Sequence, residues 1–229
     1  MANNNLSLVV LKVFIYIPQL IGSFRLFCSI KAMYLMLYSI KFHQNPSEYH
    51  VYKMAYKSGL FYYFLSFMGD LFDGIAARRF NQCSTLGGLI DMLLDRCTTA
   101  GLTIILIMLY EQVWIKLLLI LLIWLDFTSH WFQMYYCSLS RSHHKKRISN
   151  NSLISRYHND YYFFGYLCIG LEFTYIILYL LKILPYNIIL YIGLIICSPA
   201  FLMKIIVSLY QLFDTSYLIA EYDQYGKNL

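Results

Sequence analysis

Four aspartates stand between positions 70 and 95, Asp70 and Asp73 in one cluster and Asp91 and Asp95 in a second, and they make up a third of the twelve acidic residues in the chain. On a helix, Asp70 and Asp73 at i,i+3 share a face, as do Gly87, Asp91 and Asp95 at i,i+4,i+8. Two helices joined by a short polar loop can therefore aim four carboxylates at one point. The intervening positions are apolar, with Leu71 and Phe72 in one cluster and Met92, Leu93 and Leu94 in the other, so the acids are set in membrane-type sequence. A charged carboxylate at the bilayer centre costs about 2.5–3.5 kcal/mol on insertion scales, and four that repel one another need a compensating cation. Hard oxygen ligands, with no His or Cys inside either cluster, favour Mg²⁺ or Mn²⁺ over zinc or copper. Two such ions sharing carboxylates would suit an in-line phosphoryl displacement. A structural ion-pair cluster neutralised by Arg78, Arg79 and Arg96 is the other reading. Gly74 and Gly87, which lack a Cβ, would let a ligand approach the backbone closely or let helices pack closely.

The elements that must carry these residues are membrane helices. The chain has 229 residues, 59% of them hydrophobic and only 13% charged, against about 25% charged in soluble domains. At about 20 apolar residues per crossing there is room for roughly six spans and no separate soluble domain. The apolar runs predict an all-α integral membrane protein, a single domain over residues 1–229, with spans at 21–40, 52–72, 88–110, 113–131, 162–181 and 188–210. An apolar stretch at 6–17, ended by Pro18, is expected as an N-terminal interfacial helix or an extension of the first span. The segment Met1–Asn5 lacks the basic start of a secretory signal, so the first apolar stretch is expected to be retained.

A net charge of +6 raises nucleic acid as a partner, but the basic residues are scattered except in Arg141–Arg147, which suits anionic lipid headgroups instead. That loop and Arg78-Arg79 fall on one side of a six-span chain, the cytoplasmic side by the positive-inside rule, although Lys41, Lys53 and Lys57 crowd the other. The six cysteines have no CxxC spacing and sit largely in apolar runs, which supports neither a disulfide framework nor a zinc site. The sequon-like Asn150–Ser152 would be cytoplasmic and unused.

Asp70, Asp73, Gly74, Ala77, Arg78, Gly87, Asp91 and Asp95 fit DxxDGxxARx₈GxxxDxxxD without a gap, and in this the sequence resembles the CDP-alcohol phosphatidyltransferase family. Phe80–Gln82, Leu89–Cys97, Tyr16–Pro18, Leu20–Gly22, Asp126–Trp131 and Gly170–Glu172 further resemble its eukaryotic, inositol-using branch. Gln19 and Leu171 stand where that branch usually has Asn. The resemblance implies a six-helix membrane fold with its metal and nucleotide site at the cytoplasmic end, in the endoplasmic reticulum, and commonly a homodimer. It implies that Asp70, Asp73, Asp91 and Asp95 hold two divalent ions, Mg²⁺ or Mn²⁺. Asp95 would also be the catalytic general base. Gly74, Arg78 and the Ser84 hydroxyl would contact CDP-diacylglycerol, whose phosphatidyl group moves to myo-inositol with release of CMP and no covalent enzyme intermediate.

Other polar residues within or beside the spans have less definite expectations. Arg25, Lys31, Arg96 and Arg156 are candidates for a lipid-phosphate pocket or for snorkelling to the interface. Asp126, His130 and Glu172 suit either inositol binding or hydrogen bonds between helices. His143 and His144 are expected in a solvated loop. The same chemistry with glycerol 3-phosphate, serine, choline or ethanolamine is the nearest alternative, and a cation channel or carrier lined by the four aspartates is the non-enzymatic one.

Overall fold

The computed structural model describes residues 13–42, 49–139, 156–157, 159–184 and 186–225. Among them six long helices follow one another: α1 (Ile17–Phe42), α2 (Tyr49–Arg79), α3 (Thr85–Leu109), α4 (Val113–Leu139), α5 (Tyr161–Ile183) and α6 (Ile188–Tyr225). Most of the expected interfacial segment 6–17 lies outside the described residues, as do Arg141–Arg147 with its two histidines, Asn150–Ser152 and Pro185.

The chain is an all-α, multi-pass membrane protein. Five helices, α1, α3, α4, α5 and α6, are long and apolar enough to cross a bilayer. Helix α2 has 31 residues, ample length, but carries Lys53 and Lys57 towards one end and Asp70, Asp73, Arg78 and Arg79 towards the other. Val113, Ile188, Ile189, Ile195 and Phe213 are each more than two-thirds exposed. Such an apolar outer face belongs in hydrocarbon, where each helix satisfies its own backbone.

Several helices run beyond the expected spans. Helix α2 continues through Asp73 to Arg79, because the Asp-Gly segment keeps helical backbone, and the polar connection shrinks to residues 80–84. Helix α1 starts at Ile17 and takes Pro18 into its first turn, where a missing N–H leaves no bond unmade. Pro199 lies inside α6 and removes the donor for the Ile195 carbonyl, but the Ser198 hydroxyl donates to that oxygen at 3.1 Å. A proline is thereby accommodated within a membrane helix.

Two compact units are present, Met1–Ile105 and Leu106–Leu229. In the first, small residues set the helix spacing. A Cβ on Gly59 would lie 2.7 Å from Met36 Cγ and 3.2 Å from Met36 N, and one on Gly69 would lie 2.6 Å from Arg25 Cγ. These pairings make α1 and α2 antiparallel. Helix α3 runs parallel to α1: a Cβ on Gly22 would lie 3.7 Å from Leu94 Cδ1 and one on Gly101 3.0 Å from Met33 Sδ, and a Ser29–Thr98 hydroxyl bond of 2.9 Å joins the two helices. The start of α1, the end of α2 and the start of α3 consequently share one end of this unit.

In the second unit, α5 and α6 are antiparallel, with Gly170 against Ala200 and Gly193 against Ile177. Gln211 Nε2 joins α6 to α4 by donating to the Ser129 carbonyl at 3.2 Å and to Gln133 Oε1. Buried Lys204 donates to the Tyr157 hydroxyl at 2.5 Å. His130 Nδ1 lies 2.8 Å from the carbonyl of Asp126, one turn back on the same helix.

Candidate functional site

The turn between α2 and α3 is built by local chemistry. Asn81 takes a left-handed φ of 54°, a conformation that Asn tolerates better than most residues. Its N–H donates to Arg78 O, and the Gln82 N–H donates to Ala77 O at 2.9 Å, the Schellman arrangement that closes a helix C-terminus. Ser84 then caps α3, its hydroxyl oxygen accepting the Gly87 N–H at 3.0 Å. The start of α1 grips this turn: the Ile17 N–H donates to Gln82 Oε1 at 2.9 Å, and Gln19 Nε2 donates to Ser84 Oγ at 3.0 Å. Gln19 is buried, and its Oε1 has no hydrogen-bond partner among the described residues.

With the turn fixed, the four aspartates of α2 and α3 meet around one side chain from α1. Arg25 Nη1 contacts Asp73 Oδ2 and Asp91 Oδ1 at 2.6 Å. Its Nη2 contacts Asp70 Oδ1 at 2.8 Å and Asp95 Oδ1 at 2.5 Å. Arg25 has only 4% of its side chain exposed, against 45% for Asp91, so the guanidinium lies beneath the carboxylates and the cluster opens on the Asp91 side. Carboxylate oxygens of Asp70, Asp91 and Asp95 lie within 4.8 Å of one another. Such a set of hard oxygen donors could hold a divalent ion.

Arg25 was not among the residues expected to hold the acids. The sequence points instead to Arg78, Arg79 and Arg96, which are close in the chain, and of these Arg96 does attract the Asp95 carboxylate. Arg25 does not snorkel outward either, being 3% exposed. Its visible signal was a lone arginine in the first apolar span, but nothing in the sequence says that Ser23–Phe27 will lie opposite Asp73 and Asp95.

The remaining candidate residues border the cluster. Arg78 is exposed and folds back along its helix, so that a Cβ on Gly74 would meet its Nη1 at 3.6 Å. Gly87 lies beneath Ser84 Oγ and Gln19 Nε2, which a Cβ there would meet at 3.0 and 3.2 Å. Ser84 is thus first of all a helix cap. Its oxygen accepts two hydrogen bonds while its own proton has no acceptor among the described residues.

Comparison with known proteins matches these features to a family. The CDP-alcohol phosphatidyltransferase profile matches residues 15–198. A protein of Arabidopsis thaliana named as a probable CDP-diacylglycerol–inositol 3-phosphatidyltransferase is 36% identical over 173 residues, 75% of this chain and 68% of the relative. The CDP-diacylglycerol–inositol 3-phosphatidyltransferase of Candida albicans is 31% identical, covering 92% of this chain and 84% of the relative. Its counterpart in Rattus norvegicus is 30% identical, with 92% and 94% covered. No solved structure matches the chain.

Proposed function

Since the chain belongs to the CDP-alcohol phosphatidyltransferase family, we propose that it transfers the phosphatidyl group of CDP-diacylglycerol to a hydroxyl of myo-inositol and releases CMP. The observation that carries the reading is the convergence of Asp70, Asp73, Asp91 and Asp95 on the Arg25 guanidinium. The choice of inositol is supported by relatives in plants, fungi and animals that are named for that acceptor. The family profile runs across both compact units, which supports treating residues 1–229 as one catalytic domain.

In this reading Asp70, Asp73, Asp91 and Asp95 hold two divalent ions, Mg²⁺ or Mn²⁺, and the donor set fits them: all carboxylate, convergent, and already around a cation. Bound there, the ions would neutralise the pyrophosphate and stabilise charge developing on the transferred phosphoryl group. Asp95 accepts the proton of the inositol hydroxyl as its oxygen attacks the phosphorus that bears the diacylglycerol. The phosphoanhydride bond breaks and CMP departs with the bridging oxygen, so the enzyme forms no covalent bond. Arg78 offers a planar fork of donors to phosphate oxygens. Ser84 offers its unclaimed proton, and Gly74 leaves room for the nucleotide end to approach α2. The work of the protein is positioning and charge compensation.

The same reading puts the protein in the endoplasmic reticulum membrane, with the site facing the cytoplasm, and takes a homodimer as its assembly. The location follows the eukaryotic branch, the orientation the placement of basic loops, and the dimer the family fold. The test is incorporation of labelled inositol into lipid by the purified protein with CDP-diacylglycerol and Mn²⁺ or Mg²⁺, wild type against Asp95→Asn. Loss of a general base should lower turnover by about 10²-fold or more. Incorporation of another alcohol in place of inositol would overturn the acceptor assignment, and full activity in Asp95→Asn would overturn the role of Asp95.

A further inference from the structure

We infer that Arg25 is the resident counter-cation of the metal-free centre, held by the carboxylate oxygens that a metal would use, and that metal loading displaces it. The inference rests on the reading of the four aspartates as the metal site. Arg25 Nη2 and Nη1 sit on Asp70 Oδ1, Asp91 Oδ1 and Asp95 Oδ1 at 2.8, 2.6 and 2.5 Å. A divalent ion bound to those atoms would lie about 2.0–2.6 Å from each. The two cations would therefore compete for the same oxygens, and their like charges repel.

The way Arg25 is held matches a placeholder that lets go at its tip. Its backbone is pinned, with the Ser66 hydroxyl donating to the Arg25 carbonyl at 3.1 Å. Its stem lies on the bare face of Gly69, where a Cβ would come within 2.6 Å of Cγ and 3.2 Å of Cδ. Beyond that anchored stem the guanidinium is imperfectly satisfied: Nε is buried and has no hydrogen-bond acceptor among the described residues. Leaving a buried donor unpaired is unfavourable. A permanent structural fork would be expected to use that donor too.

Charge fixes the sign of the effect. The Arg25 guanidinium touches all four carboxylates, with Arg96 adding its charge at Asp95, and it lowers their mutual repulsion while no metal is bound. It also holds the protein in a form that cannot accept the ion, and a competing form weakens apparent affinity by the fraction of molecules it occupies. Removing Arg25 should consequently tighten metal binding and weaken the metal-free protein. Added metal should then stabilise the variant more than it stabilises wild type.

The experiment compares full-length wild type, Arg25→Gln and Arg25→Lys in detergent or nanodiscs. Mn²⁺ titration is followed by the resonance of the free ion, and thermal unfolding is followed in EDTA and in Mn²⁺. For Arg25→Gln the apparent Mn²⁺ Kd should fall by about tenfold, with a lower Tm in EDTA and a larger rise on adding Mn²⁺. Arg25→Lys keeps a charge but loses the two-nitrogen fork, so it should tighten binding by a smaller factor. If Arg25→Gln does not fold, the lysine variant decides alone. Wild type that binds Mn²⁺ while the folded variants bind it equally or less tightly overturns the inference and leaves the metal site standing. Wild type that binds no Mn²⁺ overturns both.

Discussion

Arg78 is exposed at the last turn of α2 with its guanidinium over Gly74, and that position sets what its replacement should do. If it grips a phosphate with two parallel donors, lysine can restore the charge but not the fork. Arg78→Lys should raise the KM for CDP-diacylglycerol about tenfold, since bonds to charged groups contribute about 1.5–3 kcal/mol, as steady-state kinetics in mixed micelles would measure. Ser84 carries two roles that separate by substitution. Its cap bond to the Gly87 N–H makes Ser84→Ala costly by about 1 kcal/mol, seen as a lower Tm. Ser84→Asn should keep the cap and the Tm while changing the response to CDP-diacylglycerol. Unchanged kinetics in Ser84→Asn would leave Ser84 as a cap alone.

At the scale of helices, two glycines on α2 distinguish packing from site geometry. Gly59 and Gly69 both face α1, the first against Met36 and the second against Arg25. Gly59→Ala puts a methyl against both the Met36 side chain and its backbone, an overpacking worth about 1–3 kcal/mol. It should lower the Tm without altering Mn²⁺ affinity, because the contact lies far along the helix from Asp70. Gly69→Ala pushes on the Arg25 stem next to the cluster and should change both quantities. Thermal unfolding with Mn²⁺ titration on each variant checks the contrast, and equal affinities in the two would show that the Arg25 stem is not what sets the centre.

For the whole molecule, the proposed cytoplasmic site can be tested through Cys83, an exposed cysteine in the turn between α2 and α3. In a variant that retains Cys83 as its single cysteine, a membrane-impermeant maleimide should label it in sealed endoplasmic reticulum vesicles without detergent. Labelling that requires detergent would reverse the orientation. A carboxylate centre also ties activity to metal and acid. Its ligands must be ionised to bind the ion, so turnover should vanish in EDTA, return with Mn²⁺, and fall as pH drops into the acidic range. Activity that survives chelation would remove the metals from the proposal.

Much of this was legible in the order of residues. Periodicity within a helix is local, so the spacing of Asp70 with Asp73 and of Asp91 with Asp95 already places each pair on one face. Apolar run length likewise marked the helices, because a bilayer demands helices of a set length. Their ends were less legible. Asn81 and Ser84 closed the polar connection to a five-residue turn through backbone bonds that composition does not report, and Pro18 was absorbed into the start of α1.

The sequence by itself determined the helical membrane class, the four carboxylates and the motif that assigns the family, since all of these depend on neighbours within a few turns. Only the tertiary structure decided what the carboxylates face. The packing of Gly59 and Gly69 against α1 brings Arg25 into their midst from 45 positions before Asp70. Which cation meets a cluster of charge depends on how closely two helix backbones approach and in what register. That is a property of two surfaces together, and neither helix encodes it alone.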